Sequence, residues 1–178
     1  MILEALSGNH NTVVQEGLLF SFLLFVFSEL IFFVSVFWVF LDASMSPSIE
    51  IGCVWPPYGI VPPDYLGLAF LGTIILLRRG VLVSWSHAQL LSNEQAKNTL
   101  LFGRLLGGVF LILQIYEYRR LTFSIRDSIY GSLFYFSTGF HGLHVFVGVL
   151  FLVLNLIRIR KSHFSCLYHL GFLCSILY

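Results

Sequence analysis

Charge is what this sequence has least of. Of its 178 residues, 11% are Asp, Glu, Lys or Arg, under half of the roughly 25% usual in soluble domains. With 57% hydrophobic residues, nineteen of all residues being Phe, there is too little polar side chain to coat a water-soluble globule. A soluble enzyme, a disordered segment and a nucleic-acid-binding domain are excluded on that ground. Cysteine is also scarce. Cys53, Cys166 and Cys174 form no CxxC spacing and cannot all pair, which argues against a disulfide framework or a zinc site. Lys and Arg are missing from the first 17 residues. That stretch therefore has neither the basic start of a secretory signal nor the arginines of a transit peptide. The expectation is a chain inserted without a cleaved signal, or made inside the compartment that uses it. Proline is confined: all five fall between Pro47 and Pro63.

A transmembrane helix takes ~20 apolar residues, so this length holds four or five spans and little else, in one membrane domain over 1–178. The first expected span is 18–40, with Glu29 at its centre. Residues 41–64 contain the prolines and the acids Asp42, Glu50 and Asp64, without Lys or Arg. Because proline removes a backbone donor and breaks helices, this reads as an ordered loop outside the membrane. The second span, 65–91, has Arg78 and Arg79 near its middle, and 92–98 is a short polar turn. The third, 99–116, has Arg104 inside its first two turns, and 117–127 is a charged connection starting at Glu117. The fourth, 128–157, contains TGFHGLHVFVG and is followed by Arg158, Arg160, Lys161 and His163. A last apolar run, 168–178, amounts to ~16 Å of helix, a partial span. Alternating spans put four Lys/Arg on the side of 1–17, 92–98 and 158–166, and three on the other. The positive-inside rule then directs the proline-rich loop away from the cytosol or matrix.

Few residues here can carry chemistry. A carboxylate at the centre of a span costs at least ~2.5–3.5 kcal/mol on insertion scales, so Glu29 reads as a proton-exchanging or lipid-facing acid. The alternative is an acid that hydrogen-bonds a neighbouring helix. His141 and His144 lie three apart on one helix face, a spacing able to present ligands to haem or copper. No second histidine pair lies on another span, which favours packing or hydrogen-bonding histidines. Gly139, Gly142 and Gly148 would then let the helices approach closely. His87 follows Trp85 near a span end and reads as an interfacial anchor. Arg78, Arg79 and Arg104 are expensive at such depths. At least one of them is expected to meet a carboxylate or a lipid phosphate, with Glu29 or an acid on another chain as partner; the alternative is a bent or shorter span that leaves Arg78 and Arg79 near an interface.

Five stretches together carry a resemblance: FSELIFFVSVFWVFLDASMSP (27–47), CVWPPYGI (53–60), VSWSHAQLL (83–91), YGSLFYFSTGFHGLHVFVG (130–148) and HLGF (169–172). In this order and spacing they resemble subunit III of the haem–copper cytochrome c oxidases. The resemblance implies an all-α polytopic transmembrane helix bundle, equivalent to helices III–VI and the start of VII among the family's seven. The first two helices and the rest of the seventh have no counterpart here, and a separate chain is a candidate to supply them. It further implies a subunit without redox chemistry and without a metal. Such a subunit packs on subunit I of complex IV in the mitochondrial inner membrane, holds phospholipid in its cleft and supports proton uptake and O2 reduction. Haem a, haem a3 and copper would belong to partner subunits. Glu29 matches the family's buried glutamate, and His141 and His144 match its FHGxH histidines. Trp55 and His87, with the three arginines, are candidate lipid or partner-chain contacts. Relatives usually follow HLGF with glutamate, whereas Leu173 stands here, so a site built on that glutamate does not carry over. Two rival readings come from the residues alone. One is a stand-alone proton or ion carrier using Glu29 and the intramembrane arginines; the other is a small haem protein using His141 and His144.

Overall fold

The computed structural model describes residues 11–92, 97–161, 164 and 169–178. Among these residues the regular structure is α1 (Thr12–Met45), a 3₁₀ turn (Ile49–Ile51), α2 (Leu68–Leu91), α3 (Lys97–Arg120), α4 (Ser128–Arg160) and α5 (Leu170–Leu177). The described residues contain no strand. By length and composition α1 to α4 can each cross a membrane. The first ten residues, 93–96 of the expected turn, His163, Cys166 and Tyr168 lie outside the described residues.

Helix ends follow local chemistry. α1 runs beyond the expected 18–40 in both directions and stops at Met45, because Pro47 disfavours helical backbone at the residue before it. The Ser46 amide and hydroxyl both donate to the Asp42 carbonyl at 3.0 Å, closing the last turn. α2 begins at Leu68, after an Asx turn in which the Leu66 amide donates to Asp64 Oδ1 at 3.0 Å. α3 continues to Arg120, where Arg119 and Arg120 complement the negative helix end. Inside the apolar stretches, hydroxyls return to carbonyls of their own helix: Ser21 to Gly17 at 2.8 Å, Ser35 to Ile31 at 2.9 Å and Thr73 to Ala69 at 3.0 Å. These three hydroxyls thereby keep a partner in surroundings that offer no water.

α2 and α3 form an antiparallel hairpin, α4 packs on the other side of α3, and α1 lies against α4 and α5. The core gathers Val83 of α2, Leu100 of α3, Leu152, Leu156 and Ile159 of α4, and Phe172 of α5. α5 is tied to α4 by a buried polar bond, Asn155 Nδ2 donating to Ser175 Oγ at 2.6 Å, while Ser175 Oγ donates to the Phe172 carbonyl at 2.7 Å. Ser175→Ala should leave the Asn155 amide unpaired, a loss of about 1 kcal/mol. A lowered melting temperature of the detergent-solubilised chain checks this, and an unshifted one would show that Asn155 finds another acceptor.

α4 outruns its neighbour. Val149 lies beside Gly107, but Tyr118, near the end of α3, donates to Thr138 Oγ1 (2.6 Å), ten residues into α4. Thr138 Oγ1 donates in turn to the Phe134 carbonyl at 2.7 Å. The first turns of α4 therefore stand past α3, and residues 121–127 fold back along them. Tyr135 OH donates to the Phe123 carbonyl at 2.9 Å and Ser132 Oγ to that of Ile125 at 2.8 Å. The proline-rich loop returns to the same place, where the Trp55 ring sits 5.4 Å from Phe40 and 5.3 Å from Tyr130, edge-on to both.

Candidate functional site

Glu29 and His144 lie within one residue of the midpoints of α1 and α4. Antiparallel packing of two helices of nearly equal length brings these midpoints together. His144 Nδ1 stands 3.6 Å from Glu29 Oε2, with the two side chains 25% and 34% exposed. Aromatic rings box the pair. Phe33, one turn after Glu29, presents its edge to His144 at 5.6 Å and to His141 at 6.5 Å. Tyr178 stacks on His144 at 4.2 Å, with an interplanar angle of 8°. Phe25, one turn before Glu29, stacks more distantly on Tyr178 at 6.4 Å. A carboxylate beside an imidazole can exchange a proton between Oε2 and Nδ1 by side-chain motion alone.

His141 leaves this pair. It faces the edge of Phe110 at 5.9 Å and lines a cleft of about 480 Å³ between α2, α3 and α4. Gly72, Gln114, Glu117 and Thr138 also line that cleft, so Glu117, expected only as a charged start to the connection, closes one end of it. Within the described residues no three His, Cys, Asp or Glu side chains gather as a metal cluster.

The arginines separate. Arg78 is exposed on α2, and Arg104 is half-buried on α3. Arg79 turns inward: its guanidinium lies 3.5 Å from where a Cβ on Gly107 would stand, and its Nη2 lies 2.9 Å from the equivalent point on Gly148. Among the described residues no carboxylate lies within salt-bridge distance of any of the three, and it is His144 that Glu29 meets.

His87, expected as an interfacial anchor, meets α5. Its ring lies 5.1 Å from His169 and stacks on Phe172 at 5.7 Å, since α5 docks against the end of α2. His87 Nε2 and His169 Nδ1 are buried without a hydrogen-bond partner among the described residues. Trp55, expected to touch lipid or a partner, is held by Phe40 and Tyr130 of its own chain because the loop folds back. Of the three glycines singled out on α4, only Gly148 is crowded. A Cβ at Gly142 would meet nothing within 4 Å, and one at Gly139 only Tyr118 OH at 3.9 Å, because both line a shallow groove beside α3.

Close contacts also lie at Gly103 and Gly107 of α3. There a Cβ would stand 3.1 Å from Val83 and 2.6 Å from Val149. The GRLLG spacing at 103–107 is the small-xxx-small signal that could have revealed them. Tyr178 carried no sequence signal at all, since its role comes from where α5 docks.

The family model for cytochrome c oxidase subunit III matches residues 1–178. Curated relatives named cytochrome c oxidase subunit 3 are similar to this chain. The Drosophila melanogaster protein is 47% identical over 167 residues, and those of Paracentrotus lividus and Lumbricus terrestris are 44% identical over the same length. Each alignment covers 93% of this chain and 64% of the relative, so the chain spans somewhat under two thirds of the length of these proteins. Four membrane-crossing helices and a family match over the whole chain make this an all-α, multi-pass membrane protein, and it belongs to the cytochrome c oxidase subunit III family.

Proposed function

We propose that this chain is a non-redox core subunit of mitochondrial cytochrome c oxidase, complex IV, in the inner membrane. The family match over residues 1–178 carries this reading. In it the chain packs on subunit I, which with its partners supplies haem a, haem a3 and copper, and the complex moves electrons from cytochrome c to O2 while pumping protons. The chain's own contribution is physical: it holds phospholipid and supports proton uptake. The Glu29–His144 contact at mid-span is consistent with that, since it offers a proton-exchanging pair without a metal. α1 suits the packing role. Phe27, Leu30, Ile31, Val34, Phe37 and Trp38 are all exposed on it, an apolar surface fit for lipid or another subunit.

Affinity purification of the tagged chain in mild detergent tests the reading. Subunit I, haem a absorbance and phospholipid should come with it, and after stripping the partners the chain should show no visible absorbance. A chain purified free of subunit I and haem a would point to the stand-alone carrier instead. A haem spectrum on the isolated chain would point to the small haem protein.

A further inference from the structure

Arg79 is a cation inside the bundle whose counter-charge no direct contact among the described residues supplies. We propose that Arg79 and Glu29 form a coupled pair of opposite charges across the bundle, joined through Tyr178 and His144. The inference rests on reading α1 to α4 as membrane-spanning.

Depth comes first. Arg79 lies at the middle of α2, with eleven residues before it and twelve after, so roughly 17 Å of helix separates it from either end. A lipid phosphate is out of reach from there, and the acceptor must belong to protein at the same level. Glu29 is the mid-span side-chain carboxylate of the described residues. Glu16, Asp42 and Glu117 lie in the end turns of their helices.

Connection comes second. The position a Cβ would take on Gly148 is 2.9 Å from Arg79 Nη2 and 3.6 Å from Tyr178 Cδ1. Guanidinium and phenol ring thus both border the space left open above Gly148. Tyr178 stacks on His144 at 4.2 Å, and His144 lies 3.6 Å from Glu29. The missing side chain at Gly148 is what admits the guanidinium to this row. Opposite unit charges roughly 10–15 Å apart, the scale of such a row, couple by on the order of tenfold in an equilibrium constant at an effective dielectric of about 20. The low-dielectric surroundings act in the direction of a larger factor.

Arg79→Met, Glu29→Gln and the double variant test the coupling in the full chain, kept in its own membrane. The measurement is the folded fraction that resists protease after heating to the wild-type midpoint. It needs neither haem nor subunit I, so it stands apart from the oxidase assignment. Each single variant should lower the folded-to-unfolded ratio about tenfold, and the double variant should be no worse than either. Arg79→Lys, which keeps the charge, should stay within about threefold of wild type, separating charge from size. A double variant at the product of the two single losses would overturn the proposal. So would a silent Glu29→Gln beside a damaging Arg79→Met, which would assign the arginine to an acid on another chain. Extraction of the wild-type chain from its membrane by alkali would overturn the spanning reading and the coupling with it.

Discussion

Gly107→Leu is expected to destabilise the bundle by about 3 kcal/mol, on the order of a hundredfold in the folded-to-unfolded ratio. The reason is geometric. A Cβ at this position would stand 2.6 Å from Val149 Cγ2 on α4 and 3.5 Å from the Arg79 guanidinium on α2. A β-branched valine in a helix has one strongly preferred rotamer, so it cannot swing aside, and α3 must move away from both neighbours. The arginine would lose its place in the same step. Gly142→Leu is the control of equal size, since nothing lies within 4 Å of its Cβ position and it should cost little. Heat resistance of the two variants in detergent compares them directly. Equal behaviour would mean that α3 and α4 are not held where Gly107 and Val149 place them.

Gly131→Val has the second large effect, for a different reason. A Cβ on Gly131 would collide with the backbone oxygen of Ser124, with the Phe123 ring at 3.6 Å behind it. A carbonyl in a folded-back segment has no rotamer to change. Its segment is also pinned: the Ser124 amide donates to Asp127 Oδ2 at 2.6 Å, and the Gly131 amide donates to the Asp127 carbonyl at 3.2 Å. Residues 121–127 must therefore lift, exposing Phe123, now only 5% exposed. The expected cost is about 3 kcal/mol. Cleavage by trypsin after Arg126 should accelerate on the order of a hundredfold, because proteolysis follows the population of the opened segment. An unchanged cleavage rate would show that this segment is not seated on α4.

Spans were legible because an apolar run of the right length has one solution in a bilayer: 128–157 falls inside α4 and 99–116 inside α3. The ends of α1 and α3 lie outside the expected spans because polar and aromatic residues such as Gln15, Glu16 and Tyr118 extend a helix beyond its apolar part, whereas α2 starts three residues inside its span. The family was legible from five motifs in register. Glu29 was legible as an anomaly, since a carboxylate amid apolar residues is costly. Its contact with His144 was not, because that contact joins residues 115 positions apart and depends on the depth at which α1 crosses α4. Arg79 could be flagged as expensive, yet its separation from Arg78 needed the packing of α2 on α3. Gly142 misled because a glycine in a span signals a close approach only when another helix lies opposite. Along α4 that holds at Gly148 and fails at Gly142.

The unequal lengths of the helices bear on the bilayer itself. α1 and α4, at 34 and 33 residues, measure about 50 Å, whereas the 24-residue α2 and α3 measure about 36 Å. Only the shorter pair suits a hydrocarbon slab of about 30 Å. Because α3 and α4 are level near Gly107 and Val149, the surplus falls in one leaflet, on the side of Trp55 and Tyr130. Lipid alongside the hairpin and lipid alongside α1 thus face walls of different height. Where the surplus turns do not simply stand past the hydrocarbon, the membrane around this protein must thicken from one flank to the other, or the protein must lean within it. Either response carries a mismatch cost that a neighbouring protein seated on α1 would relieve.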